Sequence, residues 1–201
     1  MIEFTTAGES HGKGLVAIVS GLPSNLKITR DYINQQLKRR QGGYGRGLRM
    51  KIESDKVEII SGVRYSKTMG SPISMVIWNK DWENWKEIMS VDEISSKAQK
   101  VSIPRPGHAD LVGVTKYNLD DIRNSIERSS ARETAARVAA CTFARKFLEE
   151  FGIFVGSYVE SIGGVYSQNY FNPYTTNKID IHKLSNRADK SSVRVLDKNL
   201  E

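Results

Sequence analysis

The sequence is poor in cysteine and has no long apolar run. Cys141 is the single cysteine, so the chain cannot form an internal disulfide, and we expect a reducing compartment. The longest apolar run, LVAIVSGL at 15–22, falls far short of the roughly 20 residues that a membrane-spanning helix needs. The opening MIEFTTAGE contains an early acid and no apolar core of a secretion signal. We therefore expect a cytoplasmic protein with no membrane partner.

Acidic residues are outnumbered by basic ones. The chain has 30 Lys and Arg residues against 23 Asp and Glu residues, a formal net charge of +7. Such an excess favours anionic partners, among them phosphorylated metabolites, nucleotides and nucleic acids, without choosing between them.

The positive charge is densest in KRRQGGYGRGLRMK, residues 38–51, which has six cationic residues, four glycines and no acid. One interpretation is a single-stranded RNA-binding module in which Tyr44 stacks on a base. The other is a structured loop whose arginines surround a compact polyanion, because the flat guanidinium matches phosphate and carboxylate. A solvated basic loop would explain the charge but not the glycines, which permit close backbone approach.

Hydrophobic periodicity predicts an α+β protein, with antiparallel-type strands interrupted by helices. The expected strands are 2–6, 15–20 and 72–79, a hairpin of 48–53 and 57–62, and a strand-like run at 153–165. The expected helices are 29–40, 119–128 and 130–152. Residues 166–201 are polar and predict a loop without a regular amphipathic element.

The longest helix has a predicted face and a predicted start. Val138, Leu148 and Phe151 fall on one face with Cys141, which we interpret as a small core residue. Ser130 and Glu133 have the spacing of a capping box.

Two histidines stand in segments suited to chemistry. The motif GESHG at 8–12 matches the nucleophile elbow of serine hydrolases, but that motif needs a following helix, and a strand is predicted instead. His11 is left in a glycine-flanked turn, and His108 lies in the proline-rich loop 103–110. Together they could form an acid–base pair, although each could equally be an imidazole satisfied by one hydrogen bond. No spacing of ligand residues predicts a metal site.

The segment RSSAR at 128–132 suggests an anion site. Ser129 and Ser130 precede the long helix, where free backbone N–H groups and the helix dipole favour negative charge. Arg128 and Arg132 flank the serines and could add paired hydrogen bonds. The alternative is an ordinary helix cap with exposed arginines.

Five segments taken in order resemble the chorismate synthase family, over about Thr5 to Val165. They are TAGESHG (6–12), RRQGGYGRGLRM (39–50), GSPISMVIWN (70–79), RPGHADLVGVTKY (105–117) and ERSSARETAARVA (127–139). The resemblance implies an α+β layered sandwich, with antiparallel helices between outer antiparallel β-sheets, and a homotetramer.

The resemblance also implies an activity. Family members convert 5-enolpyruvylshikimate 3-phosphate to chorismate and phosphate, a 1,4-elimination that needs reduced FMN without net redox change. The arginine–glycine segment would then hold a small, multiply anionic ligand rather than nucleic acid.

Roles follow from the resemblance for residues of this chain. His11 would protonate the departing phosphate, and His108 would lie near the flavin and protonate its reduced form. The substrate would be held by Ser10, Arg40, Arg46, Arg49 and Arg132. FMN would contact Arg128, Ser129 and Ser130. In members that reduce their own flavin, NADPH is linked to the positions of Arg40 and Arg46.

The chain departs from the family in length. Members are nearly twice as long, so residues 1–165 are expected to be the N-terminal half of a catalytic domain, and 166–201 an unfinished connection to a missing half. In the family, that half supplies further flavin contacts and an acidic residue implicated in proton removal. We therefore expect this chain alone to be inactive. Cys141 stands where members often have glycine.

Overall fold

The structure is a computed structural model that describes residues 1–45, 52–94, 99–167 and 180–201. Its main sheet is antiparallel and contains strands β1 (Glu3–Gly8), β2 (Gly14–Ser20), β4 (Val57–Ile59) and β7 (Ile73–Trp78), in the order β1-β2-β7-β4. A smaller antiparallel sheet has the order β3-β6-β5, with β3 at Ser24–Lys27, β5 at Val63–Arg64 and β6 at Lys67–Met69. The predicted α+β class is confirmed.

The two central strands bury one face each. Alternate residues of β2 and β7 are buried, and the register pairs Leu15 with Ile77, and Ala17 with Met75. Because side chains alternate across a strand, paired buried residues lie on the same face of the sheet. The strands predicted at 15–20 and 72–79 are therefore confirmed.

Helices cover the buried face of the sheet. Helix α1 (Arg30–Gln41) begins at Thr29, whose side chain accepts a hydrogen bond of 3.1 Å from the backbone N–H of Tyr32. Ile33 and Leu37, four residues apart, are fully buried, as the sequence predicts for one face of a helix.

The long helix, α4 (Thr134–Glu149), packs differently from the prediction. Its buried face is formed by Ala135, Ala136, Ala139, Ala140, Thr142 and Phe143. Val138 of the predicted face packs against the core, but Cys141 and Phe151 are exposed, so the prediction of Cys141 as a core residue was wrong. Alanine presents a single methyl group and lets the helix axis come close to the sheet, which a count of large apolar residues does not anticipate.

The start of this helix also differs from the prediction. A short 3₁₀ turn, Ala131–Glu133, precedes it, and the Ser130 hydroxyl accepts from the backbone N–H of Arg132 at 3.3 Å. The Glu133 carboxylate accepts from the hydroxyl of Thr6 instead of reaching back to Ser130. The predicted capping box is therefore wrong, because a tertiary partner competes for the glutamate.

Of the hairpin predicted at 48–53 and 57–62, the second strand is confirmed in part as β4, whereas the described end of the first is not a strand. Strand β4 pairs with β7, through Val57 with Ile77 and Ile59 with Met75. Glu53 lies outside any strand and is buried. Residues 48–51 lie outside the described residues. The buried carboxylates of this segment belong to the site described below. Alternation of polar and apolar residues does not predict that they are buried.

Two shorter helices and a small hairpin complete the middle of the chain. The proline-rich segment is a loop as predicted, and helix α2 (Asp110–Tyr117) begins at its end. Helix α3 (Ile122–Arg128) confirms the short helix expected before the long one. After the long helix, β8 (Ser161–Ile162) pairs with β9 (Val165–Tyr166), and both strands are exposed.

The last described segment is not a loop. Helix α5 (Ile181–Asp189) begins at Asp180, whose carboxylate accepts from the backbone N–H of Lys183 at 3.0 Å. Ala188 in this helix and Leu196 beyond it are buried. The prediction of no regular element was therefore wrong for residues 180–201, and 168–179 lie outside the described residues. In the described ranges, no helix is both long and apolar enough to cross a membrane.

Candidate active site

His11 lies in the tight connection between β1 and β2. The buried side chain of Asn79, at the end of β7, donates hydrogen bonds to the carbonyl oxygens of Glu9 (3.1 Å), Ser10 (3.2 Å) and Gly12 (2.7 Å). One side-chain amide therefore contacts three carbonyl groups of the connection, on both sides of His11.

Glycine is required at the entrance to this connection. Gly8 has φ of 102°, and a Cβ added there would lie 2.4 Å from the carbonyl oxygen of Gly14. Both the left-handed backbone and this close approach exclude a side chain.

The carboxylate of Glu127, in α3, holds His11. Both carboxylate oxygens lie 2.9 Å from His11 Nδ1. Oε2 also accepts from the His11 backbone N–H at 2.7 Å. The Glu127 side chain is 1% exposed, whereas that of His11 is 22% exposed. The arrangement is a histidine with one ring nitrogen fixed by a buried carboxylate.

The charge of Glu127 depends on His11. Burial favours the neutral carboxyl, but hydrogen bonds from the His11 side chain and backbone outweigh it, so the pKa of Glu127 is lowered. The group is therefore an acceptor-only carboxylate at neutral pH.

Trp85 forms the other contact of the His11 ring. The two rings stack with centroids 3.9 Å apart and an angle of 23° between their planes. The guanidinium of Arg123 lies 5.6 Å from the Trp85 ring. Nothing in the local sequence identifies Trp85 as a neighbour of the histidine.

A second network connects the predicted arginines to the same connection. Arg132 donates from Nε to the Asn79 side-chain oxygen at 2.9 Å and forms an ion pair with Asp55 through NH1. Arg40 approaches the other oxygen of Asp55 at 3.4 Å. Asp55 is buried, and it joins the end of α1 to the residues that support His11.

Arg40 also contacts the start of the long helix. Its guanidinium donates to the Thr134 hydroxyl and to the Ala131 carbonyl oxygen, both at 2.9 Å. The side chains of Arg132 and Arg40 are only 4% and 14% exposed. In this structure both arginines therefore bind protein groups, and their contact with a substrate stays a prediction, as does that of buried Ser10.

The three residues predicted to contact FMN lie together where α3 meets the long helix. Arg128, Ser129 and Ser130 line a cavity of about 400 Å³. Arg128 donates to the Thr6 carbonyl oxygen at 3.0 Å and remains 44% exposed. The Ser129 hydroxyl donates to the Ser125 carbonyl oxygen at 2.6 Å.

His108 is exposed in its loop. Its Nδ1 lies 3.0 Å from the Pro106 carbonyl oxygen. No ring contact or hydrogen bond joins the two imidazoles among the contacts of the described residues. Helix α3 nevertheless connects them, because Ser125 donates to the Ala109 carbonyl oxygen at 3.1 Å while Glu127 binds His11.

An ion pair stiffens the loop of His108. Arg105 donates from Nε and NH2 to the two oxygens of Asp110, each at 2.8 Å. The Arg105 hydrogen bonds are the chief cause that lowers the pKa of Asp110 to about 2.

Some predicted residues lie outside this assembly. Arg46 and Arg49 lie outside the described residues. A cavity of about 640 Å³ lies between α1 and α5 and is lined by Tyr32, Glu149, His182 and others. None of the predicted site residues that the structure describes lines it. Arg39 there forms an ion pair with Asp189 at 2.6 Å. Among the described residues, no group of three or more potential metal ligands occurs.

Fold and site together define a class of protein. The chain is an α+β protein in which a histidine paired with a buried carboxylate stands beside a network of arginines, an arrangement suited to proton transfer on an anionic ligand. The family model of chorismate synthase matches residues 2–201, beyond the limit predicted at Val165. The chain therefore belongs to the chorismate synthase family.

Individual relatives agree with this assignment. The chorismate synthase of Aquifex aeolicus is 60% identical over 163 residues, which cover 81% of this chain and 41% of the relative. That of Chlorobaculum parvum is 54% identical over 200 residues, covering 98% of this chain and 48% of the relative. A crystal structure of chorismate synthase has a TM-score of 0.75 and 42% identity, covering 97% of this chain and 49% of that one. The chain thus spans about half the length of these proteins.

Proposed function

We propose that this chain carries the proton-donating half of a chorismate synthase site, which converts 5-enolpyruvylshikimate 3-phosphate to chorismate and phosphate. The observation that carries the proposal is the His11–Glu127 pair, joined through Asn79 and Arg132 to Arg40 in a chain of the matching family. In this 1,4-elimination the C–O bond to phosphate breaks with its electron pair, a ring hydrogen leaves as a proton, and a C=C bond forms.

His11 is proposed to protonate the departing phosphate. Its Nδ1 is held by Glu127, and the ring is partly exposed, so the second nitrogen can meet a ligand. A positioned imidazole of this kind can contribute about 10²–10⁴-fold to a proton-transfer step. His108 is proposed to serve the cofactor rather than the phosphate, in keeping with its separate loop.

The arginines divide into two proposed roles. Arg40, with Arg46 and Arg49, would bind the phosphate and carboxylates of the substrate, since guanidinium groups match such anions. Arg132 is nearly fully buried against Asp55 and Asn79, and its proposed contribution is to support the connection that carries Ser10 and His11.

Reduced FMN is the cofactor that the family resemblance implies, and when bound it would supply transient electron donation to the substrate. The cavity at Arg128, Ser129 and Ser130 fits part of it. Two partly exposed guanidinium groups, Arg128 and Arg137, and two serine hydroxyls suit a phosphate and polar chain. Both guanidinium groups also pair with the carboxylate of Glu133, which lines the same cavity, so a bound phosphate would share them with it. No aromatic or large apolar side chain is among the described residues lining this cavity, so a flavin ring would need another surface.

Other expectations from the family remain proposals. A homotetramer is proposed, as is a cytoplasmic location. NADPH is proposed as a reductant at Arg40 and Arg46 if the protein reduces its own flavin.

The RNA-binding alternative has less support. Arg39 is paired with Asp189 and Arg40 with Asp55, so two of the cations in 38–51 already have protein partners. A salt titration with single-stranded RNA distinguishes the two, because binding to phosphates weakens steeply as salt rises.

The proposal is tested by ligand binding to the chain itself. FMN and 5-enolpyruvylshikimate 3-phosphate are titrated together, and flavin absorbance is recorded. We expect a spectral change that needs both ligands. Arg128→Ala should weaken it, while Arg187→Ala, a matched change in α5, should not. Absence of any change up to millimolar ligand, with this chain alone and also with the C-terminal half of a full-length relative added, would overturn the proposal.

A further inference from the structure

The His11 ring is held by a group to which the family resemblance assigns no role. Glu127 is separated from His11 by 116 positions, yet its carboxylate meets both the backbone N–H and Nδ1 of the histidine, at 2.7 Å and 2.9 Å. The carboxylate is almost fully buried, so solvent does not compete for its oxygens. A neighbouring backbone bond, from the Ser10 N–H to the Glu127 carbonyl oxygen at 3.0 Å, holds the two segments together.

The chemistry of these contacts fixes where hydrogen resides on the ring. A carboxylate only accepts hydrogen bonds, and a neutral imidazole has one donor and one acceptor nitrogen. Because Nδ1 faces both oxygens of Glu127, Nδ1 must carry the hydrogen. In the neutral ring Nε2 is then the nitrogen without a hydrogen, and it carries the proton to be donated only in the imidazolium form. Nε2 makes no hydrogen bond to a described residue.

We propose that Glu127 is a positioning residue that fixes His11 as the Nδ1–H tautomer and leaves Nε2 as the single ring nitrogen that exchanges a proton with a ligand. The functional meaning of this inference rests on the proposed role of His11 as a proton donor. Trp85 assists, because its stacked ring limits rotation of the imidazole out of this orientation.

Replacement of Glu127 by glutamine gives a sharp expectation. Glutamine has one acceptor oxygen and one NH₂ donor. If the oxygen stays with the His11 backbone N–H, the NH₂ group faces Nδ1 and favours an unprotonated Nδ1. The tautomer should therefore change towards Nε2–H, although the side chain keeps its size. Glu127→Asp keeps two acceptor oxygens and should keep the Nδ1–H tautomer as the major form.

The tautomer can be measured directly by ¹⁵N NMR of the histidine-labelled chain in alkaline solution, where imidazoles are neutral. The chain has only three histidines, so Asn substitutions of His108 and His182 assign the signals. We expect Nδ1–H for His11 in the unaltered chain and a majority of Nε2–H in Glu127→Gln. The matched control is Glu149→Gln, which removes a carboxylate bound to Tyr32 and should leave the His11 signals unchanged.

Two results would overturn the inference: an Nε2–H tautomer for His11 in the unaltered chain, or the same tautomer in the unaltered chain and in Glu127→Gln. The first measurement decides even if Glu127→Gln fails to fold. No flavin or substrate is present in this experiment. The proposed function can therefore fail in the ligand titration while the tautomer result stands, and the reverse outcome is equally recognisable.

Discussion

At the scale of single residues, Asn79 is the most connected support of the site. Its amide holds three carbonyl groups of the His11 connection and accepts from Arg132 at 2.9 Å. Asn79→Ala leaves these buried groups without their partner, and we expect the free energy of unfolding to fall by about 2–4 kcal/mol, since each such loss costs about 1–3 kcal/mol and the losses overlap. Chemical denaturation measures the change.

The control for Asn79 is Asn84, which is exposed and binds only Asp81 in the contacts described. Asn84→Ala should alter stability by less than about 0.5 kcal/mol, as surface substitutions usually do. An equal loss in the two variants would contradict the supporting role of Asn79.

Tyr32 provides a residue-scale prediction about pH. Burial, together with its hydrogen bond to Glu149 at 2.6 Å, raises the pKa of Tyr32 to about 12. The folded value lies above the unfolded value of about 10, so the stabilisation is complete below about pH 10 and is lost as the pH rises towards 12. The difference in ultraviolet tyrosinate absorbance between the unaltered chain and Tyr32→Phe should titrate late, and Glu149→Gln should move it to lower pH.

At the scale of elements, the close approach of the long helix to the sheet depends on alanine. Ala139 is fully buried, whereas its neighbour Cys141 is exposed. Ala139→Leu adds volume to a packed interior and should lower stability by about 1–3 kcal/mol. Cys141→Leu adds a similar volume on the exposed side and should change stability little. Thermal and urea unfolding of both variants test this, and a larger loss for Cys141→Leu would show that the assigned face is wrong.

How much of these elements the sequence predicts depends on what stabilises each. The central strands and α1 follow from regular apolar spacing and a local cap at Thr29. The alanine face of the long helix and the polar helix α5 have little regular spacing of large apolar residues, so the sequence predicts them poorly. Glu53 was predicted at the end of a strand from local alternation alone, and that pattern does not show that Glu53 and the following Asp55 are buried against Arg132, far along the chain.

In the site, too, the sequence predicts features that lie within one short segment but not contacts between distant segments. The motifs around His11, Arg40 and RSSAR are local and could be recognised. Glu127 meets His11 across 116 positions, and Asp55 meets Arg132 across 77. No periodicity reports such pairs, since they result from how α3 and the long helix pack beside β1 and β2.

At the scale of the whole molecule, activity is expected to need polypeptide beyond these 201 residues. The matched relatives are about twice as long. Apolar side chains after the long helix are exposed, among them Phe151 (65%), Ile153 (51%) and Val165 (55%), and exposed apolar surface favours association with another chain segment. We therefore expect no release of phosphate from 5-enolpyruvylshikimate 3-phosphate by this chain alone with reduced FMN.

The same surface should allow activity to be restored by a second polypeptide. The second polypeptide is the part of the Chlorobaculum parvum relative that lies beyond its match to this chain. Gel filtration of the mixture tests association, and phosphate release is then measured. Turnover should appear in the mixture. It should fall by about 10²-fold or more with His11→Ala and should persist with His182→Ala. Turnover by the chain alone, or an active mixture containing His11→Ala, would contradict the division of the site between the two polypeptides and the role of His11 within it.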